Sequence, residues 1–107
     1  MISLQGKWAL VTGSSRGIGS LIALFLAERG VNLVLHGRQL AHTEQIIDRV
    51  KQHAVDAYAV AADLADPHQV DAMLDQIESS GAQIDILFNN AGVQVGYRED
   101  FWQTPLA

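Results

Sequence analysis

Three glycines spaced Gly13-x-x-x-Gly17-x-Gly19, within the run Thr12-Gly13-Ser14-Ser15-Arg16-Gly17-Ile18-Gly19, are the residues of this sequence best suited to chemistry with a phosphate. Glycines at a strand-to-helix turn let the backbone bend tightly and come close to a pyrophosphate. The negative charge is then met by unpaired backbone N–H groups and the positive end of the helix dipole. The spacing differs from the G-x-G-x-x-G form of dinucleotide turns, so the flanking elements must confirm it. Two other polar clusters, Asp63-Leu64 and Asn89-Asn90-Ala91-Gly92, each follow an apolar run. The sequence has no cysteine, which removes disulfides, thiolate metal sites and thiol nucleophiles. His36, His42, His53 and His68 show no ligand spacing, so they are expected as surface or capping residues and no metal site is expected.

The elements that must position these residues are readable from periodicity. Lys7 to Thr12 is a short apolar run, with Trp8 and Val11 favouring a strand, and it ends at the glycine turn. From about Arg16, Ile18, Leu21, Ile22, Phe25 and Leu26 recur at helical spacing until Gly30. Ala23 and Leu24 make this helix apolar almost all round, which predicts burial at the centre of a sheet. Val31 to His36 is apolar except for Asn32, the pattern of a parallel strand covered on both faces. Leu40, Thr43, Ile47, Val50 and Ala54 form the stripe of an amphipathic helix, and Asp56 to Ala62 reads as a third strand. Asp66-Pro67-His68-Gln69 is a helix start: Asp66 at the N-cap, Pro67 in the first turn and Gln69 at the capping-box position. Val70, Met73, Leu74 and Ile77 continue that helix, Gly81 stops it, and Ile84 to Phe88 is a fourth strand. Thr104 and Pro105 look like the cap of a further helix. The order β-α-β-α-β-α-β requires a parallel sheet with helices on both faces, because such strands are joined by right-handed crossovers.

Composition narrows the partners. With 107 residues, 49% hydrophobic and 18% charged, and a mean hydropathy of +0.11, the chain has apolar surface to bury and reads as one compact domain or part of one. Seven basic against 12 acidic residues give a net charge of −5, with no concentration of Lys and Arg suited to a nucleic acid backbone. Between Lys51 and Arg98 there is no basic residue, and the acids there are expected on solvated helix faces and loop caps. The longest apolar run, Leu21 to Ala27, is too short to span a bilayer, and the N-terminus has no signal-peptide pattern. A cytoplasmic location is expected.

The run Thr12 to Gly19, Asp63-Leu64 after the third strand and Asn89-Asn90-Ala91-Gly92 after the fourth together resemble the short-chain dehydrogenase/reductase family, and the glycine motif looks most like its 3-oxoacyl-acyl-carrier-protein reductase and sugar-acid or polyol dehydrogenase members. The resemblance spans nearly the whole chain in the family's order. It implies a Rossmann-type doubly wound α/β fold, a nicotinamide cofactor, and hydride transfer between an alcohol and a carbonyl. It further implies that Gly13, Ser15, Gly17, Ile18 and Gly19 line the pyrophosphate and nicotinamide side. Asp63 would accept a hydrogen bond from the adenine amino group with Leu64 beside it, while Asn90, Ala91 and Gly92 would flank the ribose and brace the fourth strand. Full-length members are expected to form homo-oligomers.

Charge argues for the choice of dinucleotide. NAD-specific folds place a carboxylate at the end of the second strand for the ribose 2′-hydroxyl, whereas here that strand ends His36-Gly37-Arg38. Arg38 and Arg16 suit a 2′-phosphate, so NADP(H) is expected over NAD(H). The family's base is a tyrosine whose phenol is made more acidic by a lysine four residues later. No such pair exists: Ala62 follows Tyr58 at that interval and Phe101 follows Tyr97, so no catalytic residue is assigned and Tyr97 is taken as a loop residue of the substrate mouth. Residues 1–107 are thus expected to be the cofactor-binding half of such an oxidoreductase, inactive alone. A truncated product, a non-catalytic nucleotide-binding or regulatory module, and one piece of a split enzyme are the origins considered. In each case the fourth strand is expected as an unpaired edge, with exposed apolar surface around the first helix.

Overall fold

The computed structural model describes residues 3–90. Strands β1 (Trp8–Thr12), β2 (Asn32–Gly37), β3 (Ala57–Ala61) and β4 (Ile84–Asn89) alternate with helices α1 (Gly17–Glu28), α2 (Glu44–Lys51) and α3 (Pro67–Ser79). Among the described residues the strands form one sheet in the order β3-β2-β1-β4, with every pairing parallel. Side chains alternate across it as the pleat requires. Ala9, Val11, Leu33 and Leu35 meet Ala23, Leu26 and Ala27 of α1 and Ile46 and Val50 of α2. Leu10, Val34 and Val60 meet Met73 and Ile77 of α3 on the opposite face. Each fully buried aliphatic side chain contributes about 1.5–3 kcal/mol, so β1 and β2, covered on both faces, anchor the fold. This is the doubly wound α/β architecture expected from the alternation.

The chain passes from β3 at one side of the sheet to β4 at the other, so connections diverge between β1 and β4. In open α/β sheets this switch point, at the carboxyl ends of the strands, is where ligands sit. Strand β4 joins through an irregularity: Trp8 is level with Ile84 but Ala9 with Ile86. The extra residue, Asp85, accepts the Trp8 N–H at 3.0 Å, and the shift sends Ile84 to the α3 face while Ile86 and Phe88 reach the α1 face.

Three expectations are corrected. Helix α1 is not buried all round: Ile18, Leu21 and Phe25 are 64%, 65% and 49% exposed. Its small residues Gly19, Ala23 and Ala27 face the sheet, which turns the bulky side chains outward. The stripe from Leu40 to Ala54 is not one helix. Leu40–Thr43 is a 3-10 turn in which the Thr43 hydroxyl donates to the Leu40 carbonyl at 2.7 Å, and the α-helical period starts at Glu44. The change of period rotates the inward face, so Ile46 enters the core and Leu40 stays exposed. Ala54 lies beyond the helix with φ of 60°. Finally, His36 is not a surface residue but 2% exposed.

The start of α3 matches its expectation in the main. The Asp66 carboxylate accepts the His68 N–H at 2.9 Å, with Pro67 in the first turn. Gln69 departs from the capping box: its amide donates to Asp66 Oδ2 at 3.1 Å and its carbonyl accepts the Asp63 N–H at 2.8 Å. The helix start is thereby tied to the end of the β3 loop. The cap expected at Thr104 and Pro105 lies outside the described residues.

Candidate functional site

The glycine run connects β1 to α1 beside the switch point. Gly13 and Gly17 have φ of 63° and 66°, a region that side chains with a Cβ enter at a cost of roughly 1 kcal/mol or more. A Cβ on Gly17 would meet nothing within 4 Å among the described residues, so none of them fills the space beside the first residue of α1. The N-cap, Arg16, is extended and makes no side-chain capping bond, and the first turn carries no acid. The leading N–H groups of the helix, which lack intrahelical acceptors, are therefore not answered by a built-in carboxylate. An anion fits there on both charge and space.

The other end of the run is held tightly. A Cβ on Gly19 would collide with the Gly13 carbonyl oxygen and lie 2.9 Å from its carbon and 3.0 Å from Asn90 Nδ2. Helix and loop can approach this closely only because Gly19 has no side chain. Asn90 Nδ2 donates to the same Gly13 oxygen at 3.2 Å, and the Thr12 hydroxyl donates to Asn89 Oδ1 at 3.1 Å. Asn89, the last residue of β4, and Asn90 after it thus brace the start of the glycine loop.

A residue that sequence reasoning misplaced completes this framework. The Gly13 N–H donates to His36 Nδ1 at 3.0 Å, and His36 Nε2 lies 2.8 Å from the Ala62 carbonyl. The His36 carbonyl accepts both the N–H and the hydroxyl of Ser14, at 2.9 and 3.1 Å. Ser14 is fully buried. The available signal was position: His36 ends an apolar run already read as covered on both faces, and a buried imidazole must find partners.

Two predicted residues from separate loops meet. Arg38, after β2, lies 3.8 Å from Asp63 Oδ2, after β3. The pair is open to solvent, with the Arg38 side chain 77% exposed, so it contributes little stability and the guanidinium is free to turn toward another anion. Asp63 Oδ1 also accepts the Ala65 N–H at 3.0 Å, an Asx turn. Leu64 packs partly buried against the α3-side core. Ser15 is half-buried beside the glycine turn, while Arg16 and Ile18 are exposed at the head of α1. The predicted residues Gly13, Ser15, Arg16, Gly17, Ile18, Gly19 and Asn90 thus belong to one loop region, with Arg38, Asp63 and Leu64 on the two neighbouring loops. Ala91 and Gly92 lie outside the described residues. No helix of the described residues is long and apolar enough to cross a membrane, and no group of three or more His, Asp or Glu among them could hold a metal ion.

Comparison with known proteins agrees with this geometry. The family model described as short chain dehydrogenase matches residues 7–104. A 3-oxoacyl-(acyl-carrier-protein) reductase, FabG, of Staphylococcus aureus is 42% identical over 88 residues, covering 81% of this chain and 36% of the relative. An NADP-bound 3-oxoacyl (acyl-carrier-protein) reductase from Agrobacterium tumefaciens superposes with a TM-score of 0.75 at 38% identity, over 83% of this chain and 34% of that one. An NAD+-bound xylitol dehydrogenase gives a TM-score of 0.79 at 33% identity, over 85% and 35% of the two chains. The chain spans about a third of the length of these relatives.

Proposed function

Because the chain belongs to the short chain dehydrogenase family, we propose that it is the NADP(H)-binding part of an oxidoreductase that transfers hydride between an alcohol and a carbonyl. The observation that carries this reading is the β1–α1 glycine turn at the switch point of the sheet, with space at Gly17 that no described residue fills and no acid in the first turn of α1. Gly13, Ser15, Gly17, Ile18 and Gly19 hold the pyrophosphate and the nicotinamide side. Asp63 and Leu64 bound the adenine, and Asn90, with Ala91 and Gly92, flanks the ribose. When bound, the dinucleotide supplies or accepts the hydride. The chain's own share is binding and orientation, since no Tyr-x-x-x-Lys occurs in the sequence to exchange a proton; turnover by these residues alone is not expected.

Preference for the 2′-phosphorylated dinucleotide follows from the end of β2, where His36-Gly37-Arg38 carries a cation and no carboxylate. Arg38 turns from Asp63 to the phosphate, and Arg16 supports it from the head of α1. The two cofactor-bound neighbours divide, the Agrobacterium reductase holding NADP and the xylitol dehydrogenase NAD+, so the choice rests on the end of β2. Calorimetric titration of the chain with NADPH and NADH tests it. Native protein binds NADPH more tightly, and Arg38→Asp weakens NADPH about 10- to 100-fold, the worth of a charge-assisted bond, while NADH, whose 2′-hydroxyl can bond to the new carboxylate, is not weakened. Equal affinities for the two, or an Arg38→Asp effect shared by both, would overturn the preference.

A further inference from the structure

We infer that His36 is a positioning residue for the dinucleotide site, acting through the single hydrogen bond that its Nδ1 accepts from Gly13. The inference rests on the dinucleotide reading above and adds to it a residue that touches no proposed ligand position. His36 is the fifth residue of the strand between β1 and β3, so its side chain and carbonyl lie between the loops that leave those two strands. Its imidazole joins Gly13 to Ala62, and its carbonyl receives two donors from Ser14. A backbone N–H only donates, so Nδ1 presents a lone pair to Gly13, and Nε2 carries the proton that is given to Ala62. With the ring almost wholly buried, water does not substitute for either partner.

The consequence is directional. The Gly13 N–H is turned inward to His36, away from the anion, and this fixes the peptide that precedes the left-handed turn at Gly13. The Gly13 carbonyl is held from the other side by Asn90. With both ends of this residue fixed, the run from Ser15 to Gly19 starts from one defined geometry, and its N–H groups are presented without an ordering step at binding. The bond to Ala62 instead stiffens the loop leading to Asp63 and is not required for the pyrophosphate side.

Amide side chains separate the two bonds. Asn places a carbonyl oxygen near Nδ1 but does not reach Ala62, and Gln reaches the Nε2 position but offers nothing at Nδ1. His36→Asn and His36→Gln each lose one buried bond, so their thermal midpoints fall by similar amounts. The dinucleotide titration then distinguishes a positioning role from a structural one: His36→Asn binds NADPH within about threefold of native, whereas His36→Gln loses about tenfold or more. Hydrogen exchange at the Gly13 amide, measured without dinucleotide, should be slow in native protein and His36→Asn and fast in His36→Gln. Equal losses of affinity in the two variants, or the opposite order, would overturn the inference. A fast-exchanging Gly13 amide in native protein would overturn it independently of any ligand. A protected Gly13 amide in a native chain that binds neither dinucleotide would instead refute the underlying cofactor reading.

Discussion

Gly19→Ala is the sharpest test of how the glycine loop is built. At the third position of α1 an alanine should gain about 1 kcal/mol over glycine from helix propensity alone. The new methyl would overlap the Gly13 carbonyl oxygen, with the Gly13 carbon at 2.9 Å and Asn90 Nδ2 at 3.0 Å. Two of these atoms are backbone of a loop held by His36 and Asn90, so they do not move aside as a flexible side chain would. Overpacking of this kind costs about 1–3 kcal/mol, and displacement of Asn90 from Gly13 adds about 1 kcal/mol. The net expectation is destabilisation by about 1–3 kcal/mol, at roughly 4–8 °C of thermal midpoint per kcal/mol for a domain of this size. Thermal unfolding followed by circular dichroism measures it, with Gly17→Ala for comparison, where the methyl meets no described residue and only the φ of 66° is strained. A Gly19→Ala midpoint equal to or above native would refute the close approach of α1 and the loop.

Other perturbations address separate elements. Asp66→Ala should cost about 1 kcal/mol in denaturant unfolding, because the His68 N–H loses its acceptor. Ala54→Gly should stabilise by about 0.5–1 kcal/mol on the same assay, since Ala54 sits at φ of 60°. Leu21→Ser removes an apolar group that is already in solvent, so stability should change by no more than about 0.5 kcal/mol while light scattering shows less self-association.

How far the fold was legible depends on the range of the interaction that decides each feature. Pattern within one element sufficed for the strand and helix order, for Asp66 and Pro67 at the start of α3, and for the glycine turn between β1 and α1. The second helix was misread because Thr43 bonds back to Leu40 and changes the period within a stripe whose spacing still looks helical. Exposed apolar surface around α1 was expected from the few elements that surround it, and Ile18, Leu21 and Phe25 show it, but which side stays open was not legible, because an all-apolar helix does not declare which side carries its small residues. His36 and the meeting of Arg38 with Asp63 depend on strand order: β2 lies between β1 and β3, and no local spacing encodes that. In the candidate site, the glycines and Asn90 were legible from their motifs, whereas the bonds of Ser14 to His36, Thr12 to Asn89 and Gln69 to Asp63 join residues far apart in the sequence or on separate elements, which no motif specifies.

The central claim is that the carboxyl ends of the four strands and the head of α1 receive a dinucleotide. Backbone amide shifts of isotope-labelled protein, followed during titration with NADPH, test it at the level of residues. The account predicts saturable shifts concentrated at residues 13–19, at Arg38, at residues 62–64 and at Asn90, with little change along α2. Amides at the glycine turn that stay unmoved at millimolar NADPH, or shifts confined to other parts of the chain, would contradict it.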